Sequence, residues 1–274
     1  MDWRSLTGLV LGIGGILLGQ LAEGGRVGSL LQPAGLLIVV AGTLGAVLLQ
    51  SGPAQVWQAL LLLRAGFGES LHDHAILQRK VRHWSLVMRR SGALALQPLV
   101  PVETDPFIAR GLRLIVDGVP SAKLIEILSC DTERLEQQQQ HSIKVWEAAG
   151  GYAPTMGILG AVLSLIQAME NLTEPARLGS GIAVAFVATL YGLGLANLFF
   201  LPIAARLKAM LTDQLAERDM LMDALAAVVA GEALHVIEER FAAANGQAAL
   251  PQRAAHERLR DAERSDRATS PRAR

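Results

Sequence analysis

The sequence predicts an all-α membrane protein with four transmembrane helices, a large helical cytoplasmic loop and a helical C-terminal segment. Three observations carry this. Charged residues vanish from four long stretches, the intervening segments keep a helical period with recognisable start and stop signals, and the basic residues collect in two segments. The 274 residues include 25 Lys or Arg and 25 Asp or Glu, so the formal net charge is zero. Charged residues make up 18% of the chain, below the roughly 25% of soluble domains, while hydrophobic residues reach 51%. That balance excludes a disordered, collagen-like or nucleic-acid-coating chain. A single cysteine, Cys130, excludes a disulfide framework and any Cys-based zinc finger.

The charge-free stretches come first along the chain. Ser5–Ala22 reads as the first span, Val27–Leu63 holds the second with its most apolar part at Ala34–Leu49, Ala148–Met169 is the third and Leu178–Ala205 the fourth. About 20 apolar helical residues cross a hydrocarbon core of about 30 Å, and in lipid the backbone must satisfy itself, so these stretches are helices. Asp2 offsets Arg4, the stretch ends LAEGG and a second span follows after only a short gap, so it is expected to be a retained helix and not a signal peptide. Eleven basic residues lie in 53–147 and eleven after Ala205, against Arg26 and Arg177 in the two short connectors. The positive-inside rule then places both termini and the long loop in the cytoplasm.

Between the spans, His72–Arg90 is a charged amphipathic run, and Pro98, Pro101 and Pro106 mark a break. Asp105-Pro106 has the form of an N-cap and first helical residue. Gly118 and Pro120 end that helix and Ser121 can cap the next. From Ser121 the helical period runs into the third span, which predicts one long helix, kinked near Gly150-Gly151 and Pro154. Arg206–Ala230 is a further amphipathic helix interrupted by Gly231, HVIEERFAAA a short last one, and 245–274 a disordered tail. The segments are therefore 1–52 for the first two spans, 53–147 for the cytoplasmic loop, 148–205 for the third and fourth spans, 206–244 for C-terminal cytoplasmic helices and 245–274 for the tail.

The spans hold no Asp, Glu, Lys, Arg or His, although proton relays through membranes normally use such residues. An ion carrier would have to come from another chain. Gly8, Gly12, Gly15 and Gly19, with Gly35, Gly42 and Gly45, suit close helix packing in lipid. The glycine pairs near Gly12 and Gly192 follow no strand and are not nucleotide sites. Polar groups in the last two spans are few, Thr155, Thr189 and Asn197 among them, and each threonine can either line a path or bond its own helix. Pro154 and Pro202 each free a backbone carbonyl. The six histidines lie outside the spans and form no metal-binding spacing. Trp3, Trp57 and Trp146 fall near the predicted boundaries, as an aromatic belt would place them. Cys130 is expected to pack between cytoplasmic helices. No catalytic set is readable, so neither an enzyme nor a cofactor is expected.

YAPTMGILGAVLSLIQAMENL and LGSGIAVAFVATLYGLGLANLFFLPIAARLK closely resemble the third and fourth spans of the MotA/PomA family of flagellar motor stator subunits, within the MotA/TolQ/ExbB proton channel superfamily. RRSGALAL, DPFIARGLRLIVDG and GEALHVIEERF extend the resemblance over residues 1 to 244. It implies a bacterial inner-membrane subunit that forms a ring of five around a dimer of a MotB-like partner. That partner supplies the ion-binding aspartate and a peptidoglycan anchor, and ion flow turns the ring against the rotor protein FliG. Protons are the expected coupling ion, although sodium members share the scaffold. Beyond these proteins only membrane lipid is an expected partner.

The resemblance also points to residues. Pro154 and Pro202 match the family's functional prolines. Thr155 and Thr189 match ion-path hydroxyls. Arg89 and Arg90 match basic rotor-contact positions, which on chemistry alone would read as a solvated face. Gln97 and Ser91 stand where the family often has acidic residues, and Glu103 and Asp105 are candidate replacements. An ExbB/TolQ-type energiser of outer-membrane processes is the alternative reading, disfavoured by four spans against three. A secondary transporter would need intramembrane charge or inverted repeats, and neither is readable.

Overall fold

A computed structural model describes residues 3–25, 27–66, 74–170 and 175–232. Arg26, His72, the HVIEERFAAA segment and the 245–274 tail lie outside the described residues, as do the side chains of Trp3, His74 and Arg177. Every regular element among the described residues is helical. The helices are α1 (Trp3–Ala22), α2 (Pro33–Gly66), α3 (His74–Ser91), α4 (Pro106–Val116), α5 (Ser121–Glu170), α6 (Pro175–Leu195) and α7 (Leu201–Val229), with 3-10 turns at Val27–Leu30 and Ala93–Val102. Pro33–Arg64, Ser121–Glu170 and Leu178–Ala230 are long and apolar enough to cross a membrane, and Val10–Ala22 is a shorter apolar run in α1.

Local chemistry explains most boundaries. Gly52, with φ 72° and ψ 158°, breaks α2 into two segments, and Pro53 opens the second. The helix of the expected second span starts at Pro33 and not at Val27, because a 3-10 turn occupies Val27–Leu30. Asp105 caps α4 as its sequence predicts, its Oδ1 accepting from the Phe107 N–H at 2.7 Å. Gly118, at φ +75°, ends that helix, and the Val119 N–H returns to the Leu114 carbonyl. The 50-residue α5 is α-helical through Gly150, Gly151 and Pro154, so the predicted continuity into the third span holds. The helix of the expected fourth span likewise runs on: a five-residue π-helix, Ala196–Phe200, joins α6 to α7.

Two compact units divide the chain. One comprises 1–70 and 135–213, the other 71–134 and 214–274. The second has a conventional core. Leu77 and Trp84 of α3, Leu96, Ile108 and Leu112 of α4, Leu124 and Leu128 of α5, and Leu221 and Leu225 of α7 are buried together. An Arg110–Asp131 ion pair at 2.8 Å and the Arg218 guanidinium 4.7 Å from the Phe107 ring centroid border it. Cys130 corrects its expectation, for it is exposed. The buried face of α5 here runs Leu124, Leu128, Thr132, and a residue two positions past Leu128 points about 200° away from it on a helix of 3.6 residues per turn.

The first unit is built differently. Its large apolar side chains are turned outward, with Leu49 91% and Phe186 74% exposed, as suits a surface solvated by lipid. Its interior is rich in small residues, Ala153, Ala185, Ala188 and Ala196 among them, with a few larger ones such as Val39, Ile143, Leu207 and Leu211. Trp146 packs near one end: its indole N–H donates to the Ala59 carbonyl at 3.3 Å and its ring meets Phe200. Trp57 is exposed.

Candidate ion path and cytoplasmic contact surface

Pro154 and Thr189 border the tightest crossing in the first unit. A Cβ placed on Gly192 of α6 would lie 2.5 Å from the Ala153 carbonyl oxygen, 3.0 Å from the Gly157 Cα and 3.2 Å from the Pro154 Cα. A Cβ on Gly157 of α5 would lie 3.0 Å from the Ala188 carbonyl oxygen and 3.4 Å from the Thr189 Cα. Two backbones touch here without intervening side chains, the contact that gives helices their close approach in lipid. Because Pro154 has no N–H, the Gly150 carbonyl lacks its helical partner at the same crossing.

Both threonines bond their own helices. Thr155 Oγ1 donates to the Tyr152 carbonyl at 2.8 Å, and Thr189 Oγ1 to the Ala185 carbonyl at 3.2 Å. A hydroxyl that has committed its proton to a carbonyl keeps acceptor lone pairs, so each presents oxygen, not hydrogen, to whatever approaches. Thr155 is exposed and Thr189 half-buried. Pro154 and Thr189 meet at the crossing, whereas Thr155 faces outward beside it. Pro202 lies further along, near the start of α7. Its ring would strike the Leu198 carbonyl in a regular helix. The π-helix immediately before it widens the backbone at that point, with the Leu201 N–H reaching back to the Ala196 carbonyl. Asn197, in the widened turn, donates to the Leu193 carbonyl at 2.9 Å.

The two arginines of α3 belong to the second unit and have different surroundings. Arg89 donates to the Gly231 and Glu232 carbonyls at 3.0 and 2.9 Å. Gly231, at φ +69°, ends α7, and the Glu232 N–H bonds back to the Ala227 carbonyl. Arg89 therefore adds a cation to the negative end of α7. Arg90 is exposed with no partner among the described residues. Gln97 and Ser91 are exposed. The two candidate acidic replacements are engaged: Glu103 pairs with Lys80 at 2.6 Å with only 8% of its side chain exposed, and Asp105 is the α4 cap.

Sequence reasoning does not single out three features. Tyr191 bridges α6 to the α1–α2 connector, the π-helix precedes Pro202, and Gly157 pairs with Gly192. The last was legible only as small residues in two spans. The other two depend on which carbonyl lies within reach in three dimensions. Among the described residues no cluster of His, Cys, Asp or Glu could hold a metal ion.

Comparison with known proteins agrees with this architecture. A family model described as the MotA/TolQ/ExbB proton channel family matches residues 101–220. Motility protein A of Bacillus subtilis is 31% identical over 244 residues, covering 88% of this chain and 90% of that protein. The structure of C. jejuni MotAB superposes with a TM-score of 0.84 at 27% identity, covering 89% of this chain and 96% of that one. The flagellar MotAB stator complex of Bacillus subtilis gives a TM-score of 0.81 at 31% identity, covering 87% and 94%. With a relative this similar along nearly its whole length and the same helical architecture, the chain belongs to the MotA/TolQ/ExbB proton channel family.

Proposed function

We propose that this chain is a flagellar motor stator subunit whose third and fourth spans wall an ion path. The observation that carries the reading is similarity to motility protein A along 88% of the chain, joined to spans without a single Asp, Glu, Lys, Arg or His. Matches of this length to the motility proteins favour the motor over an ExbB/TolQ-type energiser. The chain crosses the inner membrane four times, with both termini and the 53–147 loop in the cytoplasm and 245–274 as a tail. Copies of it, five in the family's ring, enclose a MotB-like dimer whose aspartate carries the ion, with protons the coupling ion. Each unit charge moved down the membrane potential releases about 2.3 kcal/mol per 100 mV, which needs no covalent chemistry in this chain.

The parts divide the work. Thr155 and Thr189 offer oxygen lone pairs along the path. Pro154 and Pro202 mark where the spans can change shape, since each stands where helical hydrogen bonding is already interrupted. Arg90 faces FliG, and Arg89 supports it by holding the end of α7. The test is complementation. Co-expressed with its one-span partner in a host lacking its own stator, the chain restores swimming. Failure to do so while both proteins reach the membrane overturns the reading. Collapse of the membrane potential and pH gradient with a protonophore should stop the motor, whereas a dependence on external sodium would reassign the coupling ion.

A further inference from the structure

Tyr191 makes a long-range polar contact in the membrane unit, to residues 159 and 161 positions away in sequence. Its hydroxyl accepts from the Gln32 N–H at 3.0 Å and donates to the Leu30 carbonyl. Both partners sit where the 3-10 turn Val27–Leu30 hands over to α2. Gln32 is the capping position of α2, since the Leu36 N–H bonds its carbonyl at 3.1 Å, and Pro33 after it has no N–H to offer. One phenol from α6 thus satisfies two backbone groups at the entry of a membrane helix, where lipid offers no substitute partner. A second contact fixes the same joint: a Cβ on Gly35 would lie 3.3 Å from the Ala188 Cβ.

The place of Tyr191 on α6 gives this joint a consequence for the path. Tyr191 follows Thr189 by two residues, so the two side chains point about 200° apart around the helix. Gly192, the next residue, is the crossing point with α5. The crossing grips α6 on one side and Tyr191 on another, and between them they set its rotation about its own axis. That rotation decides where the Thr189 oxygen is presented. We propose that Tyr191 is a positioning residue for the ion path, locking α6 to the α1–α2 connector so that Thr189 is held in register. The proposal rests on the ion-path reading of Thr189. It assigns a working role to the connector, which otherwise only joins two peripheral helices.

The test separates ion transit from torque. At low load a motor turns as fast as ions pass, while at stall its torque depends on the energy per ion and on the rotor contact. Tyr191→Phe, expressed with its partner in cells, should lower the low-load speed severalfold and shift its dependence on the external ion concentration. Stall torque per assembled stator should stay unchanged. Unchanged low-load speed, or low-load speed and stall torque falling in the same proportion, overturns the proposal. Should Tyr191→Phe fail to assemble, Gly35→Ala presses on the same joint from α2 while sparing the hydroxyl. It should reproduce the low-load defect, and a normal low-load speed in assembled Gly35→Ala motors would likewise overturn it. Thr189→Val is measured alongside. If Thr189→Val is normal, the ion-path reading fails; if Thr189→Val slows the motor and Tyr191→Phe does not, only the positioning role fails.

Discussion

The two compact units reach close packing by opposite routes. In the unit of 71–134 and 214–274, Leu, Ile, Phe and Trp side chains interdigitate as they do in water-soluble cores. In the unit of 1–70 and 135–213, most large apolar side chains face outward and the closest backbone approaches are made at glycine and alanine. The difference follows from solvent. Water expels apolar surface and rewards large buried side chains. Lipid is as apolar as leucine, so only closer van der Waals approach and backbone polar contacts distinguish helix from lipid tail. One unit is therefore damaged most by removing carbon and the other by adding it.

Adding a single carbon at the tightest crossing should give the largest effect. Both Gly192→Ala and Gly111→Ala place a Cβ 2.5 Å from a neighbour. At Gly192 that neighbour is the Ala153 carbonyl, part of a helix backbone that can yield only by separating α5 from α6. At Gly111 it is Leu225 Cδ1, the flexible tip of a side chain. Gly192→Ala is expected to abolish recovery of assembled complex from membranes and with it swimming. Gly111→Ala is expected to assemble with a reduced melting temperature. Equal outcomes for the two would remove the distinction between the units.

Removing carbon from the other unit ranks next. Leu112 is fully buried in α4, and Leu112→Ala should cost about 2–5 kcal/mol, read as a lower melting temperature of the purified full chain in detergent. The matched deletion in the membrane unit, Phe186→Ala at a side chain 74% exposed, should leave that temperature almost unmoved. A comparable loss at both sites would mean that Phe186 is covered in the assembled complex.

The arginine pair sharpens the comparison inside one unit. Arg89 bonds two carbonyls at the end of α7 and Arg90 bonds none among the described residues. Arg89→Ala should destabilise by about 0.3–2 kcal/mol, the range for a cation at a helix C-terminus. Arg90→Ala should stay within about 0.5 kcal/mol of the parent, as exposed substitutions do, yet lower stall torque if it meets the rotor. Thermal melts and tethered-bead torque measurements on both variants decide it. A stability loss at Arg90 as large as at Arg89 would erase the division of roles.

These contrasts show how much a linear reading can hold. The three long apolar helices follow from missing charge, and the α4 cap at Asp105 and the stop at Gly118 from local chemistry, because each is decided by nearby residues. The continuity of α5 was legible for the same reason: its period never breaks between Ser121 and the third span. Arg89 and Arg90 are identical neighbours in sequence, and only the distant end of α7 tells them apart. Glu103 looks available as a surface acid until Lys80, 23 residues earlier, is seen to hold it. Tyr191 and Gln32 are 159 residues apart, and no local pattern announces that pairing. Residues read well where their partners are near in sequence and badly where the partner is elsewhere.

Cys130 offers the smallest effect and the cleanest check of that lesson. A lone cysteine on an amphipathic helix reads as core, because free cysteine is among the most buried residue types. The buried face of α5 passes it by, and the thiol is exposed. Cys130→Ser should therefore leave the melting temperature within about 0.5 kcal/mol equivalent of the parent, where a buried thiol replaced by a hydroxyl would lose more. A maleimide should label the folded full chain at the rate of a small-molecule thiol, without prior denaturation. Labelling that waits for denaturant, together with a destabilised Cys130→Ser, would put the residue back in a core and shift the buried face of α5 off the Leu124–Leu128–Thr132 line.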